Sequence, residues 1–313
     1  MVSKGVRSPR KLYKYRRFDA RTLRWLTEER CFYSNPREFN DPLDTNATIV
    51  SDLSLRETYE LLKRLQQDAG FSELEIKDFL NNIIYNSTEV GDYRQDPDAR
   101  EYLQRLMVSE VKDFIDNSYK ASGVLSLSAT WRSPLLWSHY ADEHKGVCIE
   151  YTIDAPPHAG LRQVNYGGSR NIKTSEIKKW KETDDAKIER SISDAYFLSK
   201  SREWSYEREW RDISDSQGWQ DSRYSISAIY FGLRCEHAVK TSIVRLLHDT
   251  NRVALYQVAA DQDSYKFRRI EVDRDTEHEF RLRTSAFRDF LGIVFMDEEE
   301  EIANVSEKKP GMS

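Results

Sequence analysis

Hydrophobic and polar positions change their spacing several times along the chain, and each change predicts a different kind of element. Residues 12–18, LYKYRRF, alternate as a short strand does. Asp19, followed by Thr22, Leu23, Trp25 and Leu26, reads as an N-cap opening a short helix. The segment CFYSNPREFNDPLD carries Asn35-Pro36 and Asn40-Asp41-Pro42 around a Phe, which predicts an ordered polar loop. From Ser54 to Tyr119 the period becomes helical. Ser54 with Glu57 and Ser72 with Glu75 have capping-box spacing, and Asp96-Pro97 sets a cap before a proline at the first helical position. Three helices are expected there, with apolar faces such as Phe79, Leu80, Ile83 and Leu103, Met107, Val111.

Beyond that block, GVLSLS (123–128) and GVCIEYTI (146–153) read as strands on either side of a short helix at 134–141. A charged, mainly helical stretch covers 173–200, and strands follow near 206–213, 225–232, 252–259 and 266–272. The expectation is an α+β fold. It forms a single domain over 1–313, with a helical insertion at about 50–120 and a mobile acidic tail at about 297–313.

Composition agrees with a packed globule. Of 313 residues, 39% are hydrophobic and 32% charged, and only 12 are glycine and 8 proline. No stretch approaches the ~18 apolar residues of a membrane helix, and the first thirty hold no apolar signal core, so a soluble, cytoplasmic protein is expected. Cys31, Cys148 and Cys235 are odd in number and far apart, against a disulfide framework or a zinc site. The net charge of −5 is uneven: Lys4, Arg7, Arg10, Lys11, Lys14 and Arg16 crowd one end and Glu298 to Glu301 the other.

GxSxG, P-loop, GxGxxG and HExxH motifs are all absent. Four polar-aromatic clusters stand out instead: LYKYR, FNDP, LSLSATWRSPLLWSHYADEHKG and KSREWSYEREWR. In SYEREWRDI, strand alternation puts Glu207, Glu209 and Arg211 on one face, where two carboxylates ~7 Å apart can stabilise a cationic transition state. An exposed, ion-paired strand face explains the same pattern equally well. His139 and His144 are five apart, a poor spacing for two metal ligands on one helix, so no metal is expected. Trp137 and Tyr140, three apart, form a face suited to core packing or to stacking on a planar ring. In LYKYR, Tyr13 and Tyr15 fall on one side and Lys14 and Arg16 on the other, where the cations can reach a phosphate.

With these clusters the chain resembles a bacterial family, the domain-of-unknown-function family numbered 2971. The matching positions are Tyr13 to Arg16, Phe39 to Pro42, Leu136 to Ala141 with His144 to Gly146, and Trp204 to Arg211. Leu136 stands where the pattern has Met. The cluster order is also distantly similar to DarT-type ADP-ribosyltransferases. Tyr15 or Arg16 corresponds to their first strand, Arg132 to Trp137 to their RSPMLY segment, and Glu209 to the catalytic Glu. That resemblance implies an ADP-ribosyltransferase-like mixed β-sheet core, NAD as substrate, and an effector or toxin role, with antiviral defence as one setting.

Under it, Glu209 and Glu207 are the catalytic pair. Lys14, Tyr15, Arg16, Asn40, Asp41, Ser128, Trp137 and Tyr140 bind NAD, and Arg132, His139 and Arg211 meet a nucleic-acid acceptor. A neutralising or regulatory partner is also implied. Two rivals remain open: a metal-dependent nuclease using Asp41, Glu207 and Glu209, whose motif lysine is missing unless Lys200 serves, and a non-catalytic nucleotide- or partner-binding module. The transferase reading requires Arg16, Asn40, Ser128, Tyr140 and Glu209 to converge on one cleft, with no catalytic side chain from 54–119.

Overall fold

The structure is a computed structural model and describes residues 9–153, 157–247 and 252–273. Its elements begin with β1 (Lys11–Arg16), α1 (Ala20–Thr27), β2 (Arg30–Tyr33) and β3 (Thr48–Val50). The helical block is α2 (Leu55–Asp68), α3 (Glu73–Ser87) and α4 (Pro97–Ser118). Then come β4 (Gly123–Ser128), α5 (Pro134–Tyr140), β5 (Val147–Thr152), β6 (Leu161–Gln163), β7 (Asn165–Tyr166) and β8 (Asn171–Lys173). The remainder is α6 (Thr174–Thr183), α7 (Ala186–Leu198), β9 (Ser199–Lys200), β10 (Glu209–Ser214), β11 (Gly218–Asp221), β12 (Ser225–Phe231), α8 (His237–Leu246), β13 (Ala254–Ala260) and β14 (Phe267–Glu271).

Eight strands form one mixed sheet in the order β14-β13-β12-β5-β1-β4-β10-β6, in which only the β12–β13 pair is parallel. Strand alternation divides its side chains between two apolar layers. Leu12, Leu125, Leu127, Ile149 and Tyr151 pack with Trp25 of α1 and Ile243 of α8. On the opposite face Tyr15, Cys148 and Tyr230 pack with Trp131 and with Trp137 of α5. The helical block has its own core, and Val124 of β4 joins that core to the sheet.

Local signals explain the helices. The Asp19 carboxylate accepts from the Thr22 amide at the start of α1, and both capping boxes are closed, Ser54 with Glu57 and Ser72 with Glu75. Buried positions recur at helical spacing: Leu61, Leu62 and Leu65 in α2; Ile76, Leu80 and Ile83 in α3; Leu103, Met107 and Val111 in α4.

Three expectations change. The strand expected at 206–213 starts only at Glu209: residues 202–207 form a 3-10 turn, and Arg208 sits in the left-handed region at φ +47°. The loop after α1 contains β2, which pairs with β11 across nearly two hundred residues, a long-range pairing with no local signature. Helix α8 was not anticipated; its buried face is short, Thr241, Ile243 and Val244. The acidic tail at 297–313, with Lys4 and Arg7 of the basic end, lies outside the described residues.

A close backbone approach closes one end of the sheet. The Gly232 amide donates to Gly146 O at 3.0 Å, and a Cβ on Gly146 would run into the carbonyl oxygen of Arg16. The neighbours are backbone and cannot swing aside. Gly146→Ala is expected to destabilise the protein by about 1–3 kcal/mol, read as a lowered urea midpoint at unchanged slope.

Candidate functional site

β1 pairs with β5 at six consecutive positions but with β4 only at Tyr13 opposite Ser128. Past that point the strands part, and Lys14 reaches across the gap to donate to Ser126 O at 2.8 Å. A cavity of about 420 Å³ opens there. Tyr13, Lys14 and Tyr15 line it from β1, and Ser126, Leu127 and Ser128 from β4. Phe39, Asn40 and Asp44 come from the loop before β3, Leu136, His139 and Tyr140 from α5, and Lys200, Glu207, Glu209 and Arg211 from around β10. This volume falls in the ~300–1,000 Å³ range of small-molecule sites. None of the lining residues comes from 54–119, so the helical block does not line this cavity.

Charge is organised around Arg211, whose side chain is fully buried. Its guanidinium donates to Asp44 Oδ1 (2.8 Å) and Oδ2 (2.6 Å), to Glu209 Oε1 (2.8 Å) and Oε2 (3.1 Å), and to Phe197 O (2.6 Å). Lys200 Nζ completes the cluster, 2.6 Å from Glu207 Oε2, 2.9 Å from Glu209 Oε2 and 3.3 Å from Asp44 Oδ2. Tyr140 donates its hydroxyl to Glu207 Oε1 at 2.8 Å. The turn is pinned by Ser128 Oγ, which donates to Glu207 O at 2.6 Å, and by the Glu209 amide, which donates to Tyr166 Oη at 2.7 Å.

Burial alone would raise the Glu209 carboxyl, but Arg211 and Lys200 outweigh it and hold it well below the ordinary range. Burial likewise opposes the charge on Lys200, and Glu209, Asp44 and Glu207 overcome it and keep the ammonium firmly protonated. Across the cavity the balance reverses. Burial, and then Arg16, pull the Lys14 ammonium down to about 8. Tyr140 is pushed up by burial and by the charge of Glu207, so it acts as a neutral donor.

Of the five side chains expected to converge, Asn40, Ser128, Tyr140 and Glu209 line the cavity, and so do Lys14, Tyr15, His139, Glu207 and Arg211. Arg16 does not: it donates to Thr22 Oγ1 at 3.1 Å and its guanidinium lies 4.7 Å from the Trp25 ring, so it packs against the first helix instead of lining the cavity. Trp137 is buried beneath α5, its indole N–H taken by Trp131 O at 2.7 Å, and offers no stacking face. Arg132 lies over the Trp131 ring away from the cavity. Asp41 accepts from Trp204 Nε1 at 2.8 Å and lines a neighbouring cavity.

Glu207 and Glu209 do come together, but through Lys200 and the left-handed Arg208 and not through strand alternation. Asp44 went unrecognised in the sequence, and Lys200 entered only as a nuclease lysine; the nearest signal was Asp44 itself, three positions past the Asn40-Asp41 pair. Among the described residues no group of three or more His, Cys, Asp and Glu is arranged to hold a metal ion. Lys200 and Arg211 already bridge the three carboxylates.

The strand, turn and carboxylate geometry from α5 to β10 is the part of the chain with recorded kin. Residues 136–211 match the model of the family DUF2971, a protein of unknown function. The matched stretch contains Tyr140, Lys200, Glu207, Glu209 and Arg211, whereas Lys14, Asn40, Asp44 and Ser128 are brought to it from outside. No curated protein and no solved structure matches the chain. No helix among the described residues is long and apolar enough to cross a membrane.

The matched stretch is anchored by its buried ion cluster. Removing Arg211 leaves Asp44 and Glu209 buried without their main partner, so Arg211→Met is expected to cost about 3–5 kcal/mol, measured by chemical denaturation. The pH dependence follows from Glu209, whose folded pKa is depressed. Its stabilisation is present above the ordinary Glu value of about 4.3 and is lost as pH falls below that value. Glu209→Gln should therefore flatten the acid limb of the stability curve, and a limb identical to wild type would contradict this account.

Proposed function

We propose that the chain is an ADP-ribosyltransferase-like enzyme that cleaves the glycosidic bond of NAD in the cavity between β1 and β4 and passes ADP-ribose to a macromolecule. The observation that carries this reading is the pair Glu207 and Glu209, buried side by side on the wall of a cavity that Lys14 and several aromatic rings also line. In the reaction the bond between ribose C1′ and the nicotinamide nitrogen breaks, and nicotinamide leaves with the bonding electrons. The ribosyl cation is then captured by an acceptor oxygen or nitrogen, which loses its proton to solvent. A fixed carboxylate stabilises that cation without reorganising at the moment of reaction.

The roles divide by hydrogen-bond capacity. Glu209 takes three donors from Arg211 and Lys200, whereas Glu207 takes one on each oxygen, from Tyr140 and Lys200. Glu207 thus keeps more open lone pairs and faces the ribose; Glu209 fixes Lys200 and the turn. In this reading Lys14 meets the pyrophosphate, without Arg16. Tyr15, Phe39 and Tyr140 offer rings for nicotinamide, and Ser128 and Asn40 offer polar contacts. NAD is the substrate and no metal is required. An effector or toxin role, with defence and a neutralising partner, rests on the resemblance to DarT-type enzymes. The nuclease reading is weaker, because the three carboxylates a divalent cation would need are already shared by Lys200 and Arg211.

The test is NAD consumption by the purified protein, with nicotinamide release as readout. Glu207→Gln is expected to lower kcat by ~10²-fold or more with little change in KM, while Glu209→Gln lowers both turnover and stability. Turnover undiminished in Glu207→Gln, or absent from wild type with every acceptor offered, overturns the reading. KM for NAD should rise as pH passes about 8, where Lys14 loses its proton, and Lys14→Gln should remove that rise while increasing KM at pH 7.

A further inference from the structure

The helical block carries a cavity of its own. It holds about 540 Å³ between the end of α2, the first half of α3 and the second half of α4, and shares no lining residue with the carboxylate cavity. These helices turn Leu65, Ile76, Leu80, Val111 and Ile115 to their common core, so the rings at the cavity form a second apolar side. Phe79 and Phe114 are half-buried there, and Phe71 is 51% exposed. Phe71 is nevertheless fixed at its backbone. Gly70, at φ +88°, ends α2 with its amide donating to Gln67 O at 3.0 Å, and the Phe71 amide donates to Gln66 O at 3.2 Å. An apolar residue placed by this pair of bonds ordinarily packs back on its own helix. Here it stands half open at the cavity, and the Ser72 cap of α3 holds the chain directly after it.

The second observation is charge. Glu75, Glu110 and Asp113 line the cavity, and no Lys or Arg does. Glu75 spends one oxygen on the cap, accepting from the Ser72 amide at 2.8 Å and the Ser72 hydroxyl at 2.6 Å. Among the described residues Glu110 and Asp113 have no ion pair or hydrogen bond. Burial, and then the charge of Asp113, raise the Glu110 carboxyl. Lys181 lies 5.2 Å from the Phe114 ring but is committed to Asp68 at 3.4 Å.

Rings interleaved with unpaired carboxylates select among occupants. An anionic lipid surface is repelled by the same carboxylates. A second copy of this chain would have to bring cations of its own. Helix α6 carries Lys178, Lys179 and Lys181 around Trp180, but it packs on α2 with Lys178 paired to Glu57 at 3.3 Å and Lys181 to Asp68. An amphipathic helix with apolar anchors on one face and Lys or Arg beside them meets both demands of the groove.

We propose that this cavity docks a basic amphipathic helix of another protein, its apolar residues seated among Phe71, Phe79 and Phe114 and its cations paired with Glu110, Asp113 and Glu75. Docking there does not rest on the transferase reading, because none of these residues lines the carboxylate cavity.

The test is fluorescence anisotropy of labelled helical peptides of about 16 residues, titrated with the full chain at several salt concentrations. The peptides carry Leu at i, i+3, i+4 and i+7 and Lys beside them. One control has Glu for every Lys, and another has Ser for every Leu. Basic peptides should bind about tenfold or more tightly than either control. Glu110→Lys/Asp113→Lys should weaken binding about tenfold or more and flatten its salt dependence. Phe71→Ala should weaken binding about tenfold at unchanged salt dependence, because it removes an apolar anchor and no charge. Urea midpoints are read alongside, and if charge reversal destabilises the fold, Phe71→Ala decides. No binding by any basic peptide, equal binding of the acidic control, or wild-type affinity in both variants overturns the inference. So does dimerisation of the full chain that Phe71→Ala abolishes, which would assign the groove to a second copy.

Discussion

Arg211 is the group around which the site is assembled. A guanidinium carries five N–H donors, and here all five are used inside the protein: one on Phe197 O, two on Asp44 and two on Glu209. Burying an ion costs several kcal/mol after relaxation, so such a side chain persists only where every donor is met. Meeting them ties three distant pieces together: the loop before β3, the end of α7 and the first residue of β10.

Once that tie is made, the remaining chemistry follows from charge. Asp44, Glu207 and Glu209 carry three negative charges against the two positive charges of Lys200 and Arg211, which leaves the wall net negative by one. Lys14 lines the same cavity from β1, its ammonium donating to a backbone carbonyl and pulled down by burial. A ligand with a developing cation at one end and an anionic group at the other matches that polarity. The carboxylates are held by the strands and by hydrogen bonds that Ser128 and Tyr140 donate and that Tyr166 accepts from the Glu209 amide, so the wall is fixed before any ligand arrives.

The sheet gives the cavity its room. Because β1 and β4 share one register position while β1 and β5 share six, the gap opens on one side of β1 only, and the β-side chains there can point into space that a full ladder would close. The single Tyr13–Ser128 bridge keeps the two halves of the sheet in one register while leaving Lys14 and Ser126 to face each other across the opening.

Much was legible in the residues themselves. The capping boxes of α2 and α3, the Asp19 cap of α1, the apolar faces of the helical block and the alternation of β1, β4, β5 and β12 are local properties, encoded within a few positions of where they act. The polar-aromatic clusters contain Lys14, Asn40, Ser128, Tyr140, Glu207, Glu209 and Arg211, which line one cavity. Only the tertiary structure decided which cation of LYKYR reaches the cavity, because Lys14 and Arg16 share a face and differ only in what β4 and α1 bring opposite them. It alone joined Glu207 to Glu209 through a left-handed turn, and it recruited Asp44 and Lys200, since a pairing between positions 44 and 211 leaves no periodicity in either neighbourhood. Periodicity along the chain sets which side of an element is buried; what lies against that side is set by the long-range register of strands and by the need of buried charges to find partners.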